Sequence, residues 1–362
     1  MNDPETNNSH RFLIARFNVD YIVGHRTVGG IEEALLNISI PETTGRPIER
    51  ENEYRMDDVY NRIIDSIRNL PQAERKYAFR ALSWIGYATR TLTAQELLAA
   101  ICVEAKQYQL IVGNMYTLKN LLDICNGLVV TDQDEQAVRL VHFSVRNYLD
   151  RSKIIPGDTK ETYRAIACST YLSFDSLKEQ RCSSQNLGNI IGNLPFLDYA
   201  ANNLTSHLSI VEHGHYPETT SAVLKLLEDK GHRRAYCKMK RGIGRALEIP
   251  RLNLACAIGY EDAVRTLLEE ADVDVNAKDA NGGLTSLSWA VKMGHEAVVK
   301  CLLDDGRADQ NCKDNNGSTP LSLIIEAGDN NGKILTLLLE KGVEVNFIYR
   351  AVSQSIDYLG EM

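Results

Sequence analysis

The sequence has 362 residues, of which 44% are hydrophobic and 24% charged, with 24 Gly and 9 Pro. This length is enough for two or three domains, and the composition excludes a collagen-like, low-complexity or largely disordered chain. Forty basic against 48 acidic residues give a net charge of -8, so the chain as a whole does not attract nucleic acid or anionic lipid.

The eight cysteines favour a reducing compartment. They are scattered without a CxxC pair, and most lie in apolar helical patterns, where a thiol behaves as a small hydrophobe. The first nine residues are polar, and no stretch approaches the roughly 18 apolar residues that a membrane span needs. We therefore expect a cytoplasmic protein.

Helical periodicity begins near Asp57. Apolar residues recur at helical spacing until Pro71, and a second helix is predicted from Ala73. Thr93 and Glu96 stand three residues apart before another apolar run. This spacing predicts a capping box at the start of a third helix.

A small hairpin is predicted after a further helix. That helix covers Leu118 to Cys125 and is closed by Gly127, and two β-rich runs follow, Leu128 to Thr131 and Ala137 to Phe143. Helices followed by a β-hairpin predict a winged helix.

Four motifs in residues 56–152 carry a family resemblance: YNRIIDSI, YAFRALSWIGYATRTLTAQELLAAI, LLDICNGLVV and VRLVHFSVRNYL. Their order resembles the winged-helix domain of the GPI inositol-deacylase type that follows the NACHT domain in fungal NACHT-ankyrin proteins of the STAND class. RFLIARFNVDYI, Arg11 to Ile22, is similar to the last NACHT helix, so residues 1–55 are identified as a remnant of it. YLSFD and PFLDYAANN, within residues 153–250, are similar to the helical linker of these proteins.

The phosphate-binding part of NACHT is missing from the sequence. No G-x-x-x-x-G-K-[ST] loop, whose amides and Lys would cradle phosphates, occurs in it. His142 falls where the resembling proteins place a histidine that contacts ADP phosphates, so the resemblance implies a nucleotide-phosphate sensor. The residues themselves favour a packing and hydrogen-bonding role for His142, and we expect no cofactor.

A winged helix also raises DNA binding as an alternative. A DNA reader needs Lys and Arg on its recognition helix and wing. The helix from Leu118 to Asn126 carries one Lys against one Asp, and the wing tip carries acidic residues, namely Asp132, Asp134 and Glu135. We therefore expect no nucleic-acid partner for this domain.

One basic cluster spans Lys230 to Arg245, with seven Lys or Arg and no acid. It suggests either a nuclear-localisation or nucleic-acid patch, or a solvated linker that docks on the acidic region after it, and we favour the linker. His207, His213 and His215 suggest a metal site only weakly, because no nearby Cys or acidic residue completes a ligand set. We expect no metal.

Three segments repeat near the C-terminus with spacings of 35 and 34 residues: LNLACAIGY, LSWAVKMGH and LSLIIEAGD, which align on Gly259, Gly294 and Gly328. A second helical stretch and a polar segment follow each of them. This unit resembles the ankyrin repeat, with Ser288 and Ser322 in place of its usual His. Residues 251–350 are thus assigned three repeats, and residues 351–362 a tail.

The ankyrin resemblance implies a protein partner bound by the turn tips and the ends of the first helices. The partner-binding residues that it nominates are Asn281, Trp289, Lys292, Met293, Asn315, Asn316, Ser318 and Glu326. From Arg251 to Met362 there are 10 basic and 18 acidic residues, and an acidic array suits a basic partner with an apolar anchor. The alternative is that the array merely packs on the preceding helical domain.

No G-x-S-x-G, H-E-x-x-H or distinctive Cys motif occurs in the sequence, so we expect no enzyme. The expected fold is mainly α: a winged helix with a small β-hairpin, a helical linker and a C-terminal ankyrin-repeat solenoid. The expected function is non-catalytic protein binding and signalling, with the winged helix as a regulatory relay and no membrane or small-molecule partner. The alternatives are part of a NACHT switch driven by ATP or GTP, whose NTPase domain is missing from this sequence, and a DNA-binding factor.

Overall fold

The computed structural model describes residues 48–109, 116–132, 134, 137–154, 157–178, 187–211, 216–240, 249–327 and 332–343. The predicted NACHT remnant at Arg11 to Ile22 and the tail at 351–362 lie outside these residues, as do Glu135, His213, His215 and Gly328. The described residues form two compact units. The first contains those up to Leu97 and those from Tyr116 to 154, and the second contains those from Leu98 to 109 and from 157 onward.

The first unit is built mainly from helices at the predicted places, although the first of them begins at Ile48 and not near Asp57. Helix α1 spans Ile48–Arg68 and α2 spans Gln72–Tyr87, with Pro71 as the N-cap of α2. Helix α3, Ala94–Ile101, begins in this unit and ends in the second. The predicted capping box is confirmed, because Glu96 N donates to Thr93 Oγ1 at 3.2 Å and Thr93 N donates to Glu96 Oε2 at 2.9 Å.

Helix α4, Leu118–Ile124, leads into a three-stranded antiparallel sheet of order β1-β3-β2. Strand β1 is Leu92–Thr93, β2 is Val129–Thr131 and β3 is Ala137–Leu140. Pairing places Leu92 opposite Val138 and Val129 opposite Leu140. The sheet thus has one more strand than the predicted hairpin.

The predicted strand to Phe143 is too long. β3 ends at Leu140, and His142 is the N-cap of α5, Phe143–Ser152. The Ser144 amide donates to His142 Nδ1 at 3.3 Å, which satisfies one of the amides that a helix start leaves without a backbone partner. Helices α1 and α2 contact each other, and α5 packs on α1 and β3.

The second unit continues with helices that pack on one another. They are α6, Gly157–Leu172; α7, Leu187–Gly192; α8, Leu197–Val211; α9, Pro217–Glu228; and α10, Lys230–Met239. Helix α6 packs on α8, α9 and α10. The rings of Tyr171, Phe174, Phe196 and Tyr199 form a buried aromatic core with centroids 4.5 to 5.3 Å apart.

The basic cluster is not a solvated linker over its described part. Lys230–Met239 forms α10, which buries His232, Ala235, Tyr236 and Cys237. Asp229 caps this helix by accepting from the amides of Gly231 and His232. The described part of this highly charged segment is therefore an amphipathic helix. Arg241 and Arg245 lie outside the described residues.

The repeats form three helix pairs in two stacked rows. The first helices are α11, Arg251–Ile258; α13, Ser286–Met293; and α15, Pro320–Ala327. The second helices are α12, Glu261–Leu268; α14, Glu296–Asp305; and α16, Gly332–Glu340. Within each row every helix contacts the next one, and α9 packs on both helices of the first pair. The array therefore continues directly from the preceding helices.

Candidate protein-binding face of the repeat array

A buried carboxylate organises the loop before α13, residues 274–284, which we call the first finger. Asp279 is 4% exposed and accepts four hydrogen bonds. The backbone amides of Asn281, Gly282 and Leu284 donate to it at 2.9, 2.7 and 3.2 Å. The fourth donor is Trp289 Nε1, at 2.9 Å. The tip is therefore held from its own backbone and from the helix behind it.

Residues 309–318, the second finger, repeat this arrangement with fewer donors. Asp314 Oδ1 accepts from the amides of Asn316 and Ser318, both at 2.8 Å. The fingers are joined directly, because Asn315 N donates to Gly282 O at 2.8 Å. Such cross-links fix the spacing of the two tips.

A buried side chain joins the first repeat to the first finger. Asn253 is fully buried, and its Nδ2 donates to Ala277 O at 2.9 Å and to Leu284 O at 3.0 Å. Ser286 Oγ donates to Asn253 Oδ1 at 2.8 Å. Apart from Ala277, which is half-buried, these residues lie in the array's interior, where leaving a donor or acceptor unmatched would cost about 1 to 3 kcal/mol.

The Thr residues that open α13 and α15 act as caps together with Ser. The Ser288 amide donates to Thr285 Oγ1 at 3.3 Å, and the two hydroxyl oxygens are 3.1 Å apart. Ser322 N donates to Thr319 Oγ1 at 3.3 Å, and Thr319 N donates to Ser322 Oγ at 2.8 Å. Each Ser hydroxyl thus lies within hydrogen-bond distance of the Thr that caps the same helix.

The nominated residues divide by exposure. Asn281, Lys292, Asn315 and Asn316 are exposed, and Met293 and Ser318 are half-buried. We call these six residues the finger face. For Glu326 the structure describes the backbone and not the side chain.

Trp289 does not belong to this face. It is 2% exposed, and its indole N–H donates to the Asp279 carboxylate. Lys292 Nζ lies 5.3 Å from the Trp289 ring centroid, in the range of a cation–π contact. Trp289 therefore supports Lys292 from below instead of offering a surface anchor.

Some of the array's acidic side chains are paired with neighbouring cations, while others, such as Glu269, Asp272 and Glu340, are exposed. Five carboxylates are paired within it, in the ion pairs Glu261–Arg265, Glu270–Arg251, Glu296–Lys333, Asp304–Lys341 and Asp305–Arg307. Meanwhile, the described side chains of the finger face are amides, a hydroxyl, a thioether and one ammonium. The charge of this face thus differs from the net charge of the repeats.

His142 lies in a hydrogen-bonded chain within the first unit. Its Nδ1 is 2.7 Å from Ser144 Oγ, which is 2.7 Å from the Tyr60 hydroxyl. Tyr60 is fully buried, and this burial raises its pKa to about 12, so the hydroxyl stays protonated at neutral pH. The chain of contacts ties the start of α5 to α1.

Sequence reasoning missed a buried polar cluster around His207. Its Nδ1 is 3.2 Å from Glu161 Oε2, and its Nε2 is 3.0 Å from the Tyr199 hydroxyl. Arg164, fully buried, also pairs with Glu161. Burial alone would raise the pKa of Glu161, but hydrogen bonds from His207 and Arg164 hold it below its ordinary value. No sequence signal links His207 to a carboxylate 46 residues away.

Two cations of the basic cluster, Arg233 and Lys240, are engaged in packing. Arg233 donates to the carbonyls of Leu227, Glu228 and Ile249 at 2.5 to 3.1 Å. Lys240 donates to Asn202 O at 3.0 Å, and burial lowers its pKa. These contacts use the cations to join α10 to its neighbours.

The part of the chain that the structure describes holds no group of three or more His, Cys, Asp or Glu arranged to bind a metal. Among its helices, none combines the length and apolar character needed to cross a bilayer.

Comparison with known families supports both regions. Residues 65–182 match the winged helix domain of GPI inositol-deacylase, and residues 252–348 match ankyrin repeats in three copies. The predicted fold class, a mainly helical chain with a winged helix and a C-terminal ankyrin solenoid, is thereby confirmed. Neither match spans half of the chain, and a search of curated proteins finds no match.

Proposed function

We propose that the chain is a non-catalytic protein-binding and signalling module. Its ankyrin repeats bind a protein partner through the finger face, and its winged helix acts as a regulatory relay. Ankyrin repeats suggest protein–protein interaction in general.

The observation that carries the proposal is the set of hydrogen bonds that holds the two fingers in place. Asp279 and Asp314 hold the tips, while the bond from Asn315 N to Gly282 O fixes one tip against the other. A backbone that is already held in place loses little further entropy on binding. The finger face is therefore preorganised for recognition.

The partner need not be basic. The finger face carries Lys292, and five array carboxylates already have internal partners. We therefore propose a partner whose surface meets amide side chains and one ammonium group. Met293, half-buried beside Lys292, supplies the apolar part of the contact.

The test compares two double variants with the same change in net charge. Asn281→Lys/Asn316→Lys alters both finger tips, whereas Glu269→Gln/Glu340→Gln alters exposed side chains at the ends of second helices. Cross-linked interactors would be identified from cells that express the chain, then purified and titrated by calorimetry. The proposal expects binding to survive in the control and to weaken about tenfold or more in the finger variant. Equal affinities would overturn it.

A nucleotide-dependent switch is the alternative for the winged helix. The resemblance to NACHT-ankyrin proteins motivates it, and His142 is the residue concerned. Calorimetric titration with ADP and with ATP plus magnesium, repeated on His142→Ala, tests it. Binding lost in the variant would favour the switch; no heat at millimolar nucleotide would favour the relay.

We also propose a cytoplasmic location. The support is that the seven cysteines among the described residues are all free thiols, in keeping with a reducing compartment. The proposal that the module is non-catalytic rests on the motifs absent from the printed sequence.

A further inference from the structure

The helix pair of the third repeat carries exposed apolar side chains. Among the described residues, four large apolar side chains are exposed, and two of them belong to this pair: Ile325 on α15 and Leu339 on α16. They are 43% and 44% exposed. Leu335, one turn before Leu339, is half-buried. We call these three residues the end face.

The side chain that is equivalent to Ile325 in the second repeat is buried. Val291 lies six residues after the cap Thr285, as Ile325 lies six residues after Thr319. The two therefore occupy the same position on the first helix of their repeats. Val291 is fully buried, and α15 packs on the helix that carries it. The position is thus one that a following repeat covers.

The second helices show the same difference. Leu303 stands three residues before Gly306, as Leu339 stands three residues before Gly342, and both glycines have left-handed backbones. Leu303 is 3% exposed, and α16 packs on its helix. In the part of the chain that the structure describes, no helix follows α16. The end face is therefore the surface on which a further layer would pack.

The other end of the array is covered. Helix α9 packs on both helices of the first pair, and Thr220 on α9 lies with its hydroxyl 3.3 Å from that of Tyr260, both residues being buried. A solenoid leaves an apolar surface at each end unless another element covers it. The array thus needs one more covering element, at the end face.

The chain turns back at the end of α16. Gly342 has φ +83°, Val343 N donates to Leu338 O at 3.4 Å, and Val343 is 5% exposed. Four residues lie between Val343 and Ile348, and this length of chain reaches up to about 17 Å. Packed helices are only about 8 to 10 Å apart, so a helix that begins at Ile348 can lie against the end face.

The sequence of residues 348–359 has the pattern of an amphipathic helix. Apolar residues recur at spacings of four, four and three, which places them on one helix face. These residues are Ile348, Val352, Ile356 and Leu359. The opposite face is polar, with Arg350, Ser353, Gln354 and Asp357. Such a helix needs an apolar surface to pack on.

We propose that residues 348–359 form a helix that packs on the end face, antiparallel to α16, and closes the array. Burying Ile325 and Leu339 under the apolar face of this helix removes both surfaces from water, which is favourable. The segment is attached close to α16, so its effective concentration at the end face exceeds that of a separate protein. The occupant is therefore a part of this chain.

Hydrogen exchange of the full chain, followed by mass spectrometry of the peptides that contain α15 and α16, tests this packing. Val352→Asp/Ile356→Asp adds two charges to the apolar face of the segment, and Ser353→Asp/Gln354→Asp adds the same two to its polar face. We expect amide exchange in α15 and α16 to become about tenfold faster or more in the first variant. In the second it should stay within about twofold of the unchanged chain. Equal exchange rates in the two variants would overturn the proposal.

A double-mutant cycle tests the contact itself. Leu339→Ala and Ile356→Ala are made singly and together in a Trp84→Phe background, and Trp289 fluorescence follows urea unfolding of the array. Each single variant should lower the urea midpoint. The double variant should lower it by less than the sum of the two, because both changes remove one shared contact. Additive shifts, or an unchanged midpoint in Leu339→Ala, would contradict the proposal.

Light scattering distinguishes the segment from a second copy of the chain. The proposal expects the oligomeric state of Leu339→Asp to equal that of the unchanged chain, because the end face is closed from within. A dimer that is lost in Leu339→Asp and kept in Val352→Asp/Ile356→Asp would show that a second copy covers the end face, and would reject the proposal.

Discussion

The imidazole of His295 fills the space in which a side chain at Gly259 would stand. A Cβ added at Gly259 would overlap the ring, and His295 Nε2 is 3.2 Å from Ala257 O. Gly259 also has φ +86°, in the left-handed region that L side chains rarely adopt. The end of α11 in the first repeat is therefore shaped to receive a ring from the second.

The first prediction concerns this contact. Gly259→Ala should lower the free energy of unfolding by about 2 to 4 kcal/mol, because it adds overlap with the ring to the cost of the left-handed backbone. Gly306→Ala is the matched control, since Gly306 has φ +78° and open space around it. It should cost about 1 to 2 kcal/mol.

Urea denaturation can report on this array separately from the first unit. The sequence has two Trp, and Trp84 lies in the first unit while Trp289 lies in the array. In a Trp84→Phe background the fluorescence comes from Trp289 alone. Equal losses for the two glycine variants would contradict a fixed position of the His295 ring.

The second prediction concerns the carboxylate of the first finger. Asp279→Ala leaves three backbone amides and the Trp289 indole without their buried acceptor, so we expect a loss of about 3 kcal/mol or more. Asp314→Ala removes an acceptor of two amides at a more exposed position, and should cost about 1 kcal/mol. The Trp289 emission maximum should move to longer wavelength in the first variant alone.

Chemical denaturation of both variants measures the difference. If Asp314→Ala were as damaging as Asp279→Ala, the buried indole bond would not be the feature that holds the first finger. A shift of Trp289 emission in both variants would lead to the same conclusion.

Much of this fold was predictable because its signals are local. Pro71 marks a helix boundary, and the Thr93–Glu96 spacing specifies a cap that depends on four consecutive residues. The repeats show themselves by their period, which sequence comparison along the chain detects without knowledge of contacts. The first two features depend on a few consecutive residues, and the third depends on a regularity of the sequence itself.

The errors arise where distant contacts decide the structure. Strand β1 has two residues and exists because Leu92 pairs with Val138, a contact that no local pattern announces. The exposure of Trp289 depended on Asp279, ten residues earlier in the chain. At His142, the apolar alternation of the segment concealed a side-chain cap.

The candidate sites show the same division. The family resemblance nominated the exposed tips Asn281 and Asn316, since finger positions follow from the repeat period. One cavity of the second unit is lined by both Lys230 and Lys278, which are 48 residues apart in sequence. The basic cluster alone therefore indicates charge without indicating a cavity. Only packing shows which cations share a wall.

The third prediction concerns the cap of α3. Glu96 is 7% exposed and receives the Thr93 amide and both terminal nitrogens of Arg90, at 2.6 to 2.9 Å. Burial would raise the pKa of Glu96, but hydrogen bonds from Arg90 and Thr93 lower it. Glu96→Ala should therefore destabilise the first unit by about 2 kcal/mol.

Trp84 fluorescence in a Trp289→Phe background measures this loss. Asp123→Ala is the control, because Asp123 is exposed on α4 of the same unit, and its removal should change stability by less than about 0.5 kcal/mol. A loss in the control as large as in Glu96→Ala would show that carboxylate removal in general, and not the cap, weakens the unit.

The fourth prediction is a dependence of the second unit's stability on pH. Burial lowers the pKa of His207, His232 and His295, opposed in part by acceptors that include Glu161 and the carbonyls of Phe174 and Ala257. The unfolded chain takes up these protons near the ordinary histidine pKa of about 6.5, while the folded chain stays neutral there. The stabilisation is thus complete above that pH and is lost as the pH falls below it.

Each of these histidines should contribute up to about 1.4 kcal/mol per pH unit in that window. From about pH 7.5 to about pH 5.5, the free energy of unfolding reported by Trp289 should fall more than that reported by Trp84. The reason is that all three histidines lie in the second unit. His295→Gln keeps an amide donor near Ala257 O and removes one titrating group, so it should reduce the slope by about a third. An unchanged slope in this variant would mean that His295 titrates alike in the folded and unfolded chain, and that its burial does not govern its protonation.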